Sequence, residues 1–343
     1  MPIKITAVLA MAIMLTGCGA KSRLVLYTPG FLFPQEILDG FEKDTGFKVK
    51  QINYESSETM IAGLAAKSAK FGLVIAGNTM IGNVINDGLA HKIDRYRLPN
   101  YSNIDPRFQK QFYDPKDEYT IPYGAELMTI VYDRQKTGVS INSYLDLWHP
   151  ALLHKLGIMD NSRVITGIAL KIMKESCNSE NPALIRRAGE FLNSLAQNTR
   201  YIGKNPEEAL LSGDTAVALM YTSRIKTAKA AKPDFRVVFP REGIIFSTMQ
   251  AFIPIRCQNL DAAYAFLDYI LDTRRGAACF TENGYFSTLS ESGPFIEAEF
   301  QDFLTFPANY RNFDAMEMIQ NISEEAQALH DKVWTDFLTA AGH

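Results

Sequence analysis

The feature that most constrains this chain is a set of short, continuously apolar segments, each followed by an amphipathic one. Leu24–Tyr27 (LVLY) and Gly72–Ile75 (GLVI) read as strands buried on both faces. Between them, Pro34 can open a helix that places Ile37, Leu38 and Phe41 on one side, and Thr45-Gly46 ends it. Lys48–Tyr54 then alternates as a second strand, and Ser57–Lys67 reads as a helix opened by Ser-x-Glu-Thr capping chemistry. A further helix is expected from Met80. Strands apolar on both faces, alternating with helices, predict an α/β fold built on a parallel sheet covered on both sides. Ligands of such sheets collect at the carboxyl ends of the strands, here the turns at 28–31 and 76–79.

The remaining sequence repeats the pattern. Tyr119–Tyr132 is rich in strand-forming residues and is expected to lead out of the first unit. Helices are predicted near 143–154, 164–175, 182–197 and 205–212, with strands at 157–160, 216–221 and 235–239. Ile244–Ile255 is strand-like again, followed by helices at 259–271, 274–282 and 323–340. The chain has 343 residues, enough for two domains at about 100–200 residues each. With no long Gly/Ser linker in the sequence, two lobes crossed more than once by the chain are expected, with a hinge and a cleft.

Composition excludes several function classes. With 47% hydrophobic and 21% charged residues the chain is not disordered. Lys plus Arg is 35 against 38 for Asp plus Glu, which offers no basic field for nucleic acid and no polybasic membrane patch. The five histidines form no HExxH, and no GxSxG, Walker loop, GxGxxG or CxxC occurs. A binding protein without metal or cofactor is therefore expected, rather than an enzyme.

The N-terminus reads as an export signal. Lys4 precedes an apolar run, Ile5–Leu15, too short for a membrane span of about 20 residues but suited to a signal peptide. Leu15-Thr16-Gly17-Cys18 follows, which resembles a bacterial lipobox and predicts lipid attachment at Cys18 after removal of residues 1–17. The expected location is extracytoplasmic, in the periplasm or at the cell surface, with the membrane reached through the lipid. Of the other cysteines, Cys257 and Cys279 can pair, or Cys177, Cys257 and Cys279 can all be reduced.

Five stretches resemble the spermidine/putrescine-binding receptors of ABC importers: Asn53–Met60, Ile121-Pro122-Tyr123, Ser143–Trp148, Phe239–Gly243 and Gly284-Tyr285. The resemblance runs over about residues 23–340. It implies a two-lobed periplasmic-binding-protein fold, each lobe a mainly parallel sheet flanked by helices, with the ligand cleft between lobes. One lobe would comprise 23–131 plus 249–293 and the other 132–248 plus 294–343. It further implies a monomer that captures a polyamine and delivers it to ABC permease subunits.

A polyamine receptor needs carboxylates for the ammonium ends and aromatic faces for cation–π and methylene contact. Against the family pattern, this chain carries Pro29 and Leu32 in place of an aromatic pair, and Gly77 and Thr79 in place of Ser and Tyr. Asn161 and Val164 replace an acid pair, Ser247 and Met249 a tryptophan and an aspartate, and Tyr221 a tryptophan; Tyr285 matches. Glu126 and Asp160 are candidate substitutes for the acids, and Phe31 and Phe33 for the aromatics. Tyr27, Asn78, Thr79, Asn161, Tyr221, Ser247 and Tyr285 complete the candidate site. Each substitute has a structural alternative: Phe31 and Phe33 in the core, Glu126 solvated, and Asp160 capping the next helix. Arg163, at a helix start, would suit a carboxylate or phosphate, so a neutral or anionic solute on the same fold is the rival expectation. An adhesin or an enzyme reusing the fold is the more distant one.

Overall fold

The first apolar segment forms β1 (Arg23–Thr28) in the computed structural model, which describes residues 23–66, 70–308 and 310–343. The export and lipidation readings at residues 1–18 lie outside the described residues. β1 pairs in parallel with β2 (Lys48–Asn53) along its whole length and with β3 (Leu73–Gly77) on its other side. α1 (Gln35–Thr45) follows Pro34 and ends on Gly46, whose φ of +78° lets its N–H return to the Glu42 carbonyl. α2 (Ser57–Ala65) opens with a capping box, in which Ser56 Oγ accepts from the Thr59 N–H and Thr59 Oγ1 accepts from the Ser56 N–H. α3 (Asn78–Asn86) starts two residues ahead of the expected Met80.

The twelve-residue β4 (Ile121–Tyr132) precedes the short helix α4 (Arg134–Thr137). A second α/β run follows: β5 (Leu156–Met159), α5 (Ser162–Ile172), α6 (Pro182–Asn193), β6 (Thr199–Gly203) and α7 (Pro206–Ser212). It continues with β7 (Val217–Tyr221), α8 (Thr222–Ala231) and β8 (Arg236–Val238). β9 (Ile245–Phe252), α9 (Leu260–Leu271), α10 (Thr273–Asn283), α11 (Gln301–Leu304), β10 (Glu317–Met318) and α12 (Glu324–Ala340) complete the chain.

The strands join into one curled sheet of order β2-β1-β3-β9-β4-β7-β5-β6, with β10 beside β9 and β8 beside β4. Its two ends are parallel blocks, as the apolar strands predicted. The middle is antiparallel, because β9 runs against β3 and β4, and β4 runs against β7. β4 spans both environments: its 121–127 half pairs with β9 and its 128–132 half with β7. One core packs Phe33, Phe41 and Phe266 around the β1 end, and another packs Ile158, Leu219, Trp334 and Phe337 around the β5 end.

Two expected helices need correction, and two elements were missed. The helix predicted at 143–154 is two separate 3-10 turns, Leu145–Trp148 and Pro150–Leu152, because Pro150 bars helical continuation from His149. The helix predicted over 182–197 ends at Asn193. β6 and α8 went unread: β6 is largely half-exposed, and α8 buries only Thr222, Ile225 and Ala228, too thin an apolar stripe to register. Of the two cysteine states left open by the sequence, the reduced one is present: Cys177, Cys257 and Cys279 are free thiols. Burial pushes the Cys279 thiol up to about 12, so it serves as a small core hydrophobe. No helix among the described residues is long and apolar enough to cross a membrane.

Candidate functional site

The middle strands build the site. Glu126 on β4 lies opposite Ser247 on β9, and Gly124 lies opposite Met249, so these four residues share one face of the sheet. Gly124 leaves room there: a Cβ at this position would stand 3.1 Å from the Tyr285 Cβ. Tyr285 reaches the strand because Gly284, at φ +69°, ends α10 in the left-handed conformation and turns the chain. Tyr221 ends β7, and the first turn of α8 follows at once, bringing Ser223 to donate its hydroxyl to Glu126 Oε1. Asp160, just past β5, completes the set.

Glu126, Asp160, Tyr221 and Tyr285 line one cavity of about 400 Å³, together with Met159, Lys204, Ser223, Arg224 and Asn283. Burial raises the Glu126 carboxyl, against the opposing effects of the Ser223 hydrogen bond and the Arg224 charge. Burial first, and the Glu126 charge second, push the Tyr221 and Tyr285 phenols far up, so both remain neutral. Asp160 is exposed and accepts from Trp334 Nε1 at 3.1 Å through Oδ1. Arg224 donates from Nη1 to the buried Glu207 at 3.2 Å. Glu126 thus lies half-buried among the Ser223 hydroxyl, two phenol rings and the bases Lys204 and Arg224; among the described residues no group of three His, Cys, Asp or Glu could hold a metal ion.

The sequence profile of the bacterial extracellular solute-binding proteins matches residues 36–308. The chain belongs to that family. The spermidine/putrescine-binding periplasmic protein of Escherichia coli is 31% identical to this solute-binding protein over 242 residues, 69% of each chain. Spermidine/putrescine-binding periplasmic protein 1 of Haemophilus influenzae is 28% identical over 271 residues, 78% of this chain and 75% of its own. Among solved structures, the spermidine/putrescine ABC transporter substrate-binding protein of Streptococcus pneumoniae superposes with a TM-score of 0.87 at 20% identity, covering 93% of this chain and 99% of its own. The solute-binding protein thus falls in the polyamine-receptor branch that its motifs resemble, and the class is one of binding and transport, not catalysis.

Other candidate residues of this solute-binding protein lie elsewhere. Tyr27 is in the core, stacked on Phe71 with 4.0 Å between ring centroids and donating to the Thr59 carbonyl. Phe33 is also in the core, edge-on to Tyr123 and Phe266, whereas Phe31 is 78% exposed and lies outside the cavity. Asn78 is a buried strut: Oδ1 accepts from the Thr248 N–H at 3.1 Å and Nδ2 donates to the Ile319 carbonyl at 2.8 Å. Asn161 caps α5 by accepting from the Val164 N–H, so the capping role considered for Asp160 belongs to its neighbour. Thr79 and Arg163 line a separate cavity of about 500 Å³ with Gln320, Asn321 and Asp331. Ser247 stays beside Glu126 through the strand register.

Lys204, Ser223, Arg224 and Asn283 were missed. Lys204 follows β6, and Ser223 and Arg224 open α8, the two elements the pattern hid. One signal was available: Thr222-Ser223-Arg224 directly follows the carboxyl end of a predicted strand, where α/β sheets bind ligands.

Proposed function

We propose that this solute-binding protein captures an alkylammonium solute of the polyamine class in the Glu126 cavity and delivers it to the permease subunits of an ABC importer. The observation that carries this reading is Glu126 itself, a half-buried carboxyl whose pKa is raised, placed with Tyr221 and Tyr285 in one cavity. An ammonium at Glu126 offsets the desolvation of the carboxylate, and the phenol faces receive the cation and its methylenes. The names of the relatives, spermidine/putrescine-binding, support the same ligand class.

In this reading 23–131 plus 249–293 form one lobe and 132–248 plus 294–343 the other, and they close on the ligand by bending at β4 and β9. Glu126 and Tyr285 then come from one lobe, Asp160, Tyr221 and Ser223 from the other. Lipid at Cys18 holds a monomeric receptor at the outer face of the membrane. Calorimetric titration of residues 19–343 with putrescine, spermidine and spermine tests the ligand class. A Kd near 1 μM or below, about −8 kcal/mol, that weakens in Glu126→Gln supports it. No heat and no thermal shift with any of the three overturns it. Release of the protein from membranes by Cys18→Ser tests the anchor.

A further inference from the structure

The second carboxylate of the Glu126 cavity, Asp160, is held by a residue far away in the chain. Asp160 is exposed just past β5, where its N–H donates to the Gly203 carbonyl at 3.0 Å. Its Oδ1 accepts from Trp334 Nε1 at 3.1 Å. Trp334 lies on α12 and is only 7% exposed. It belongs to the core around β5 with Ile158 and Leu219, and its ring stacks on Phe337 with 5.4 Å between centroids. An indole N–H fixed by such packing has one direction in which to donate, and that direction is Asp160. Neither Asp160 nor Glu126 forms an ion pair among the described residues, and Arg224 is paired with Glu207. Lys204 is exposed, on a flexible stem that lets its ammonium stay in water.

An exposed aspartate at a strand end turns among its rotamers, and ordering it on a ligand weakens the binding it provides. Trp334 removes that loss by fixing Oδ1 in advance, which leaves Oδ2 for a ligand. The indole is neutral, so the full charge of the carboxylate remains. Ser223 does the same at Glu126, engaging Oε1 with a neutral hydroxyl. The cavity therefore carries two acids, each oriented by one neutral donor, a pattern that suits a solute with an ammonium at each end. We infer that Trp334 is a positioning residue: without touching the solute, it holds Asp160 for the second ammonium of a diamine whose first ammonium is at Glu126. This rests on the alkylammonium reading above and deepens it by giving the second ammonium its partner. A core tryptophan that only needed an acceptor would matter to stability alone.

Putrescine and butylamine, which differ by one ammonium, separate the two roles. Each is titrated calorimetrically into residues 19–343, directly or in competition, as wild type, Trp334→Phe, Asp160→Asn and the double variant. Wild type should bind putrescine at least about tenfold tighter than butylamine. Trp334→Phe, which keeps an aromatic ring in the core and removes the N–H, should weaken putrescine about three- to tenfold and butylamine by less than about twofold. Asp160→Asn should weaken putrescine at least about tenfold, and adding Trp334→Phe should weaken it no further, because the tryptophan acts through the aspartate. Equal losses for the two amines in Trp334→Phe, no loss for putrescine, or full additivity in the double variant overturns the positioning role while the alkylammonium reading stands. If wild type binds neither amine, that reading falls and this inference falls with it. Melting curves verify that each variant folds; a lower melting temperature alone would mark the purely structural role, and the putrescine-to-butylamine ratio marks the positioning one.

Discussion

Glu126 and Arg163 are two partly buried charges that the fold treats in opposite ways. Burial raises the Glu126 carboxyl and lowers the Arg163 guanidinium, so each is pushed toward its neutral form. Arg163 is held in part by the chain, donating from Nη2 to Asn178 Oδ1 at 3.3 Å and to the Gln320 carbonyl at 3.4 Å, while its buried Nε has no hydrogen-bond partner among the described residues and the side chain lines the second cavity. Those bonds hold the 317–322 segment against α5. Glu126 has one neutral donor from the chain and otherwise faces a cavity. Both charges line cavities, and they differ in what holds them: two chain acceptors fix Arg163, whereas a single hydroxyl engages Glu126.

The largest effect expected around Arg163 is on stability against pH. His330 is fully buried, and burial, reinforced by the Arg163 charge, holds its pKa at about 4. Between the ordinary histidine range and that value the unfolded chain binds the proton more readily than the folded one, so stability falls as pH drops from about 6.5 to 4, by about 3 kcal/mol. Denaturant titrations across this range should show the loss in wild type and a flatter profile in His330→Leu. A wild-type profile as flat as the variant's would remove the contrast between a locked and an open region.

Next comes Glu126, whose shift has the opposite sign. Its folded pKa lies above the unfolded one, so the folded state keeps the proton longer and stability falls as pH rises from the ordinary carboxyl range through the raised value. Glu126→Gln should abolish that slope and weaken binding of an alkylammonium ligand about 10- to 100-fold, the worth of one charged hydrogen bond. Binding of the cation should also release protons near the raised pKa, seen as a buffer-dependent heat. Equal heats in buffers of different ionisation enthalpy at that pH would break the assignment.

Arg163→Met should do the reverse of Glu126→Gln, costing about 1–2 kcal/mol of stability through the lost bonds to Asn178 and Gln320. Ligand affinity should stay within about twofold, and a larger loss would move the site toward the second cavity. The smallest effect is expected from Gly124→Ala. Its Cβ would press on Tyr285 at 3.1 Å, shifting the ring by tenths of an ångström and weakening binding about two- to fivefold with the fold retained. An unchanged Kd would take Tyr285 out of the ligand contact.

Legibility followed the range of the forces involved. The ends of α1 and α2 were readable because Pro34, Gly46 and the Ser56–Thr59 box act within a few residues. α8 was hidden because its apolar stripe is thin, and the 143–154 helix was overread because hydrophobic spacing outweighed Pro150. Glu126, Asp160, Tyr221 and Tyr285 could be chosen from the sequence: the first two as candidate substitutes for lost acids, Tyr221 as a departure from the family pattern, and Tyr285 as a match to it. The same reasoning also selected Tyr27, Asn78 and Asn161, which serve the core, a strut and a helix cap.

By itself, then, the sequence determined the α/β alternation, the boundaries of its best-capped helices, and the family, since all depend on local patterns of burial and turn chemistry. Only the tertiary structure decided that β4 pairs with β9 in one half and β7 in the other, and which acid would be left facing open space. A carboxylate's role depends on the donors and cations that other strands bring to it. Ser223, Lys204 and Arg224 reach the Glu126 cavity through the packing of strands and helices far apart in the chain, which no local pattern encodes.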